Sequence, residues 1–152
     1  MTLCAVLGVD PGVRGGLALL RADGSVAGLW TMNPALTESE AVEKVRQAAW
    51  SLQAYRGVCF FEKVGFKRGD GGKGAWTFGA ITKLVTGALL ALDVTPHYVY
   101  PMAWQAEMGC LTGGNKNVSK RRAVELFPAE KITHARADAL LIAEYGRRRL
   151  GL

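Results

Sequence analysis

A short apolar run, Ala5-Val6-Leu7-Gly8-Val9, ends at position 10 in an aspartate, and the next six residues are Pro11-Gly12-Val13-Arg14-Gly15-Gly16. Proline and paired glycines are turn chemistry, and a second apolar run, Leu17-Ala18-Leu19-Leu20, begins immediately afterwards. The stretch therefore predicts a β-hairpin with an aspartate at its mouth. A carboxylate at the end of a buried strand loses hydration, so either the turn caps it or a cation compensates its charge. Everything else in the chain is read in relation to that residue.

Arg21-Ala22-Asp23-Gly24-Ser25 carries an Asp-Gly turn signal, and a third strand over 26–32 completes a meander. Thr37-Glu38-Ser39-Glu40 has capping-box form, with Glu40 at N3. Val42, Val45, Ala49, Leu52 and Tyr55 follow at helical spacing, and Gly57 is placed to end that helix. Val58-Cys59-Phe60-Phe61-Glu62 is a second apolar run that finishes in a carboxylate. It opens into a glycine-rich, basic loop over 63–74 and then a helix over 75–92 with a wide apolar face and two glycines, Gly79 and Gly87. His97-Tyr98-Val99-Tyr100 reads as a strand, and Pro101 opens a short helix through Trp104. A helix starting near Asn117 carries Lys120, Arg121 and Arg122, and a last helix runs from His134 to Arg149. A meander followed by alternating strands and helices predicts an α/β fold. Its mixed five-stranded sheet, three antiparallel strands plus two parallel ones, is flanked by helices.

The length of 152 residues suits one domain, 1–152, with a real core, and 49% apolar with 21% charged residues excludes a disordered chain. A formal charge of +6 is consistent with a polyanionic partner. Cys4, Cys59 and Cys110 have no zinc spacing, and their odd, scattered count points to a reducing compartment. No apolar stretch is expected to reach the ~20 residues that span a bilayer, and no signal-type N-terminus is seen, so a cytoplasmic protein without a membrane partner is expected. Lys73 follows Gly72, but Lys67 stands where a P-loop needs glycine and Gly74 where it needs Ser or Thr, which excludes a nucleotide cofactor there.

Asp10 and Glu62 each end a strand, and strand ends in a mixed sheet can lie side by side. Asp138 sits within Ala137-Asp138-Ala139-Leu140-Leu141, where an unpaired charge is costly, and His134 lies four residues earlier on the same helical face. Each has a plain structural reading. Asp10 could cap its turn, Glu62 could pair with Lys63 or Lys67, Asp138 could answer the helix dipole, and His134 could be a cap or surface residue. Together, three carboxylates form a hard, oxygen-rich cage of the type that holds Mg²⁺ or Mn²⁺ against a phosphate.

Three segments carry a resemblance: VLGVDPGVRGGLALL, the strand end FFEKVG and the terminal helix HARADALLIAEYGRRR, in that order over nearly the whole chain. Together they resemble the RuvC-type Holliday-junction resolvases, especially a small phage-associated branch of the RNase H-like nucleases. The resemblance implies an RNase H-like domain in a bacterial or phage-infected cell, associated with the nucleoid. It implies that Asp10, Glu62 and Asp138 bind two Mg²⁺ ions, with Mn²⁺ a plausible substitute, and that His134, near a fourth site position where many relatives carry a carboxylate, is a further metal-binding and catalytic candidate, as a ligand, as an acid or base, or as the group that orients the water. It also implies hydrolysis of DNA phosphodiesters in a four-way junction, as paired symmetric nicks with 5′-phosphate ends, by a homodimer joined through the helix over 75–92.

Lys63, Lys67, Arg68 and Lys73 surround a loop bearing Phe66, with Trp76 and Phe78 beyond it, and cations beside aromatics suit nucleic acid. The resemblance makes Phe66 or Trp76 the candidate for an aromatic wedge in the junction, whereas Phe78 is expected in the core. Lys116, Lys120, Arg121 and Arg122 form a second basic cluster, read as having no nearby acid. Competing readings are a related nuclease acting on forks, flaps or RNA strands, and a junction-binding protein with a decayed site.

Overall fold

The first strand, β1 (Ala5–Asp10), is buried along its whole length, as a strand covered on both faces must be. It pairs antiparallel with β2 (Gly16–Arg21), which pairs antiparallel with β3 (Val26–Thr31). On its other side β1 pairs parallel with β4 (Val58–Glu62), and β4 pairs parallel with the short β5 (His97–Val99). The sheet order is β3-β2-β1-β4-β5, the expected meander plus two parallel strands. Among the described residues there are five helices: α1 (Glu38–Ala54), α2 (Gly72–Ala91), α3 (Pro101–Glu107), α4 (Lys116–Leu126) and α5 (His134–Arg149). The structure, a computed structural model, describes residues 4–65, 69 and 71–152.

Strand alternation divides the core into two layers. Leu7, Val9, Leu17, Leu19, Cys59 and Phe61 face α1 and α2, meeting Val45, Ala49 and Leu52 of the first and Val85 and Leu89 of the second. Ala18 and Leu20 face α5, meeting Ala139, Leu140 and Ala143. Gly8 lets α5 lie directly on β1, since a Cβ there would stand 2.2 Å from the Ala139 carbonyl oxygen and 2.4 Å from the Ala143 nitrogen. Phe60 lies on this face too, with its ring 6.1 Å from that of Tyr145 in an edge-on contact.

The α1 capping box forms as read: the Glu40 N–H donates to Thr37 Oγ1 at 3.2 Å and the Thr37 N–H to Glu40 Oε2 at 2.7 Å. Its C-terminus corrects the expectation for Gly57. The left-handed residue is Arg56, at φ 52°, while the Arg56 N–H donates to the Gln53 carbonyl and the Gly57 N–H to that of Leu52. Gly57 is needed for space, because a Cβ would stand 2.2 Å from Leu52 Cδ1. α2 begins at Gly72, three residues before the expected start. At 20 residues it is also long and apolar enough, by length and composition, to cross a bilayer, which corrects the expectation that no such stretch exists. Lys73 and Lys83 interrupt it, and Val85 and Leu89 bury one side of it in the core.

Candidate active site

Asp10 belongs to the alternating set of Val6 and Gly8, so it projects to the α5 side of the sheet. Glu62 shares the parity of Phe60 and projects to the same side. The parallel register pairs Val9 with Phe61, which sets Asp10 and Glu62 side by side one step further along, at the carboxyl ends of the two central strands. Asp138 enters from the first turns of α5, the helix that Gly8 and Gly16 admit onto the sheet. Parallel pairing, strand parity and two glycine contacts thus bring together three carboxylates distant in sequence.

Their electrostatics show that they share one site. Asp10 is 8% exposed, and burial, followed by the Asp138 charge, pushes its carboxyl up to about 6. Glu62 is half-buried and is pushed up to about 7, first by burial and then by Asp10, with a smaller push from Asp138. Hydrogen bonds offset this only in part. The Gly12 N–H reaches Asp10 Oδ1 at 3.5 Å, too long to cap the charge well. The Trp104 indole N–H donates to Glu62 Oε2 at 2.7 Å. Lys116 Nζ lies 4.0 Å from Asp138 Oδ2, and its charge lowers both Asp10 and Glu62. Among the described residues, Asp138 Oδ1 is buried with no hydrogen-bond partner. Cys110 is also within reach of this field: burial and then the Asp138 charge push its thiol up to about 11.

Among the described residues, no group of three or more His, Cys, Asp or Glu side chains is spaced so that it could hold a metal ion as it stands. The donor set nonetheless fits a hard divalent cation. It consists of carboxylate oxygens, one of them buried and unpartnered, in a cluster whose own repulsion a cation would relieve. His134 is the exposed first residue of α5, one turn before Asp138.

The basic residues fall into several settings. Phe66, Lys67 and Arg68 lie outside the described residues. Lys63 is exposed and holds its Nζ 4.9 Å from the centre of the Tyr100 ring, rather than pairing with Glu62. Lys73 and Trp76 stand exposed on the first turns of α2, Trp76 at 79%. Trp76 borders a cavity of about 790 Å³ that also touches Glu62, Lys63, Phe78 and Tyr98. Phe78 is therefore half-buried at the cavity instead of in the core. On α4, Lys120 is half-buried and Arg121 exposed. The reading of four cations without an acid is corrected twice: Lys116 faces Asp138, and Arg122 donates to Glu125 at 3.0 Å and to the Met108 carbonyl at 2.8 Å. Sequence reasoning missed Trp104 as a partner of the site. Its only signal was a tryptophan one turn after the helix-opening Pro101.

A meander continued by two parallel strands and flanked by helices is the RNase H-like fold, shared with solved resolvase structures. Thermus thermophilus RuvC, solved in complex with a Holliday-junction substrate, matches with a TM-score of 0.66 and 21% identity, covering 97% of this chain and 96% of its own. A second Thermus thermophilus RuvC structure matches at 0.63 and 20% identity, covering 97% and 96%. The yeast mitochondrial Holliday-junction resolvase Ydc2 matches at 0.55 and 12%, covering 96% and 80%. At these identities the likeness establishes the fold. It agrees with the RuvC-type resemblance read from sequence, while the narrower phage-associated branch finds no support in it. No protein-family model and no curated protein sequence matches the chain.

Proposed function

We propose that this protein is a metal-dependent DNA endonuclease that resolves four-way junctions, nicking paired strands symmetrically and leaving 5′-phosphate ends. The observation that carries the reading is the coupled cluster of Asp10, Glu62 and Asp138, set at the carboxyl ends of the central strands of a RuvC-like fold. The three carboxylates would hold two Mg²⁺ ions, or Mn²⁺ in their place. Bound there, such ions would polarise the phosphodiester, make water a nucleophile at neutral pH and stabilise the leaving 3′ oxygen.

The chain's own groups supply rigidity and charge. Asp10 is fixed by a strand buried on both faces, and Glu62 is held by the Trp104 indole. Lys116, exposed beside Asp138, offsets part of the cluster's negative charge and would contact a phosphate bound there. His134, exposed one turn before Asp138, would take or give a proton. Lys63, Lys73, Lys120 and Arg121 would hold the DNA backbone, and Phe66, Lys67 and Arg68 are further candidates from the sequence. Trp76, exposed on α2, would wedge or stack against bases at the branch point.

Two opposed cuts need two sites, and the open side of α2 supports a symmetric dimer as their source. The test is cleavage of a labelled four-way junction, a Y-fork and an RNA–DNA hybrid in Mg²⁺ and in Mn²⁺, with Asp10→Asn as control. Paired, ligatable nicks in the junction, absent with Asp10→Asn, are the expected result. Cleavage of the fork or hybrid with an intact junction would assign a related nuclease activity. Tight junction binding without cleavage in either metal would make the protein a junction-binding scaffold.

A further inference from the structure

We propose that Trp104 is the positioning residue for the Glu62 carboxylate, fixing it in the orientation from which it binds a divalent cation. The inference rests on the metal-dependent reading above.

Trp104 is 0% exposed, packed among Met108, Cys110, Ala123, Ala137 and Leu141. A buried indole needs an acceptor for its N–H, and among the described residues that acceptor is Glu62 Oε2, at 2.7 Å. Both partners are rigidly mounted. Glu62 pairs with Val99 in the β4–β5 ladder, and the Lys63 N–H donates to the Val99 carbonyl at 2.7 Å. The chain then passes directly from Val99 through Tyr100 into α3, which carries Trp104.

The three carboxylates differ in what restrains them. Asp10 and Asp138 have short side chains on deeply buried backbone, whereas Glu62 is longer and only half-buried. Repulsion from Asp10 and Asp138 would turn a free Glu62 towards solvent. The indole N–H opposes this without adding a positive charge, which a lysine or arginine in the same place would bring and which would repel a bound cation. A purely structural Trp104 would need only its ring volume, and its N–H would not have to meet this carboxylate.

The test separates the N–H from the ring. Replacing Trp104 by β-(3-benzothienyl)alanine exchanges the N–H for sulfur at nearly constant shape, and Trp104→Phe is the simpler companion. Trp50→Phe, at an exposed residue stacked against Arg46, is the control. Mn²⁺ binding is measured calorimetrically without DNA, the Trp104 indole resonance is followed by ¹H–¹⁵N NMR during Mg²⁺ titration of the wild type, and kcat and KM are measured on the junction. With the benzothienyl protein folded, Mn²⁺ affinity is expected to fall about 10–100-fold, the loss typical of removing a partner of a metal ligand. In the wild type the Trp104 resonance shifts saturably with Mg²⁺, while that of Trp50 stays in place. kcat falls with KM unchanged. A folded benzothienyl protein that binds Mn²⁺ as tightly as wild type overturns the proposal. Trp104-dependent Mn²⁺ binding by a wild type that leaves the junction intact upholds it and overturns the junction reading alone.

Discussion

Asp10 shares with Glu62 the electrostatic cost of the carboxylate cluster. Its carboxyl titrates near 6 in the fold against an ordinary 3.8, so the folded state holds its proton more tightly than the unfolded chain does. The sign follows: without metal, stability falls as pH rises from about 4 through about 6, by up to about 3 kcal/mol at 1.36 kcal/mol per pH unit. Asp10→Asn is therefore expected to be more stable than wild type at pH 8 in EDTA, with the gap closing by pH 4, as denaturant titrations at the two pH values would show. The same variant is expected to lose cleavage, so that stability and activity move in opposite directions. Arg121 and Arg122 are neighbours with opposite predicted behaviour. Arg121 is exposed, and among the described residues it has no acidic partner, so Arg121→Ala should weaken junction binding and reduce the salt slope by about 1 without changing the melting temperature. Arg122 is tied to Met108 and Glu125, so Arg122→Ala should lower the melting temperature first.

Among the elements, the contact of α5 with β1 decides whether a site exists. Gly8→Ala would drive a Cβ into the backbone of α5 at Ala139 and Ala143, so the helix must lift. The expected cost is about 3 kcal/mol or more, read by chemical denaturation. Asp138 would move with the helix, so cleavage should fall further than the lost folded fraction explains. Such contacts mark where local signals stop being readable. The α1 capping box was legible because Thr37 and Glu40 are close in sequence and need nothing else. The end of the same helix was misread because a glycine there can serve as the left-handed residue or as the residue that leaves room. Gly57 does the second beside Leu52 and Ala5, leaving Arg56 in the left-handed conformation.

At the scale of the whole molecule, α2 leaves most of its surface uncovered. Only Val85 and Leu89 on it are fully buried, and Gly79 and Gly87 have nothing within 4 Å of where a Cβ would stand. Gly79→Arg should leave the isolated chain at least as stable, since arginine is the better helix former by roughly 0.8 kcal/mol. If α2 joins two copies, the same change should shift sedimentation from dimer to monomer and replace concerted double nicks by single ones. A monomeric wild type at micromolar concentration, still cutting both strands concertedly, would remove the dimer from the mechanism.

The sequence alone determined the parts whose physics is local. Short continuous apolar runs defined the strands, Pro-Gly and Asp-Gly marked the reversals, helical spacing defined the amphipathic helices, and an aspartate in an apolar helix identified itself by the cost of burying it. The order of these parts was enough for a meander-plus-parallel sheet. Tertiary structure decided everything that depends on distance between remote residues. It set Asp10 beside Glu62 through the Val9–Phe61 register, placed the exposed Lys116 4.0 Å from Asp138, and brought the Trp104 indole onto Glu62. The physical reason is that hydrogen bonding and periodicity act within a few residues, whereas electrostatic coupling and close packing depend on positions that exist only once the chain has closed on itself.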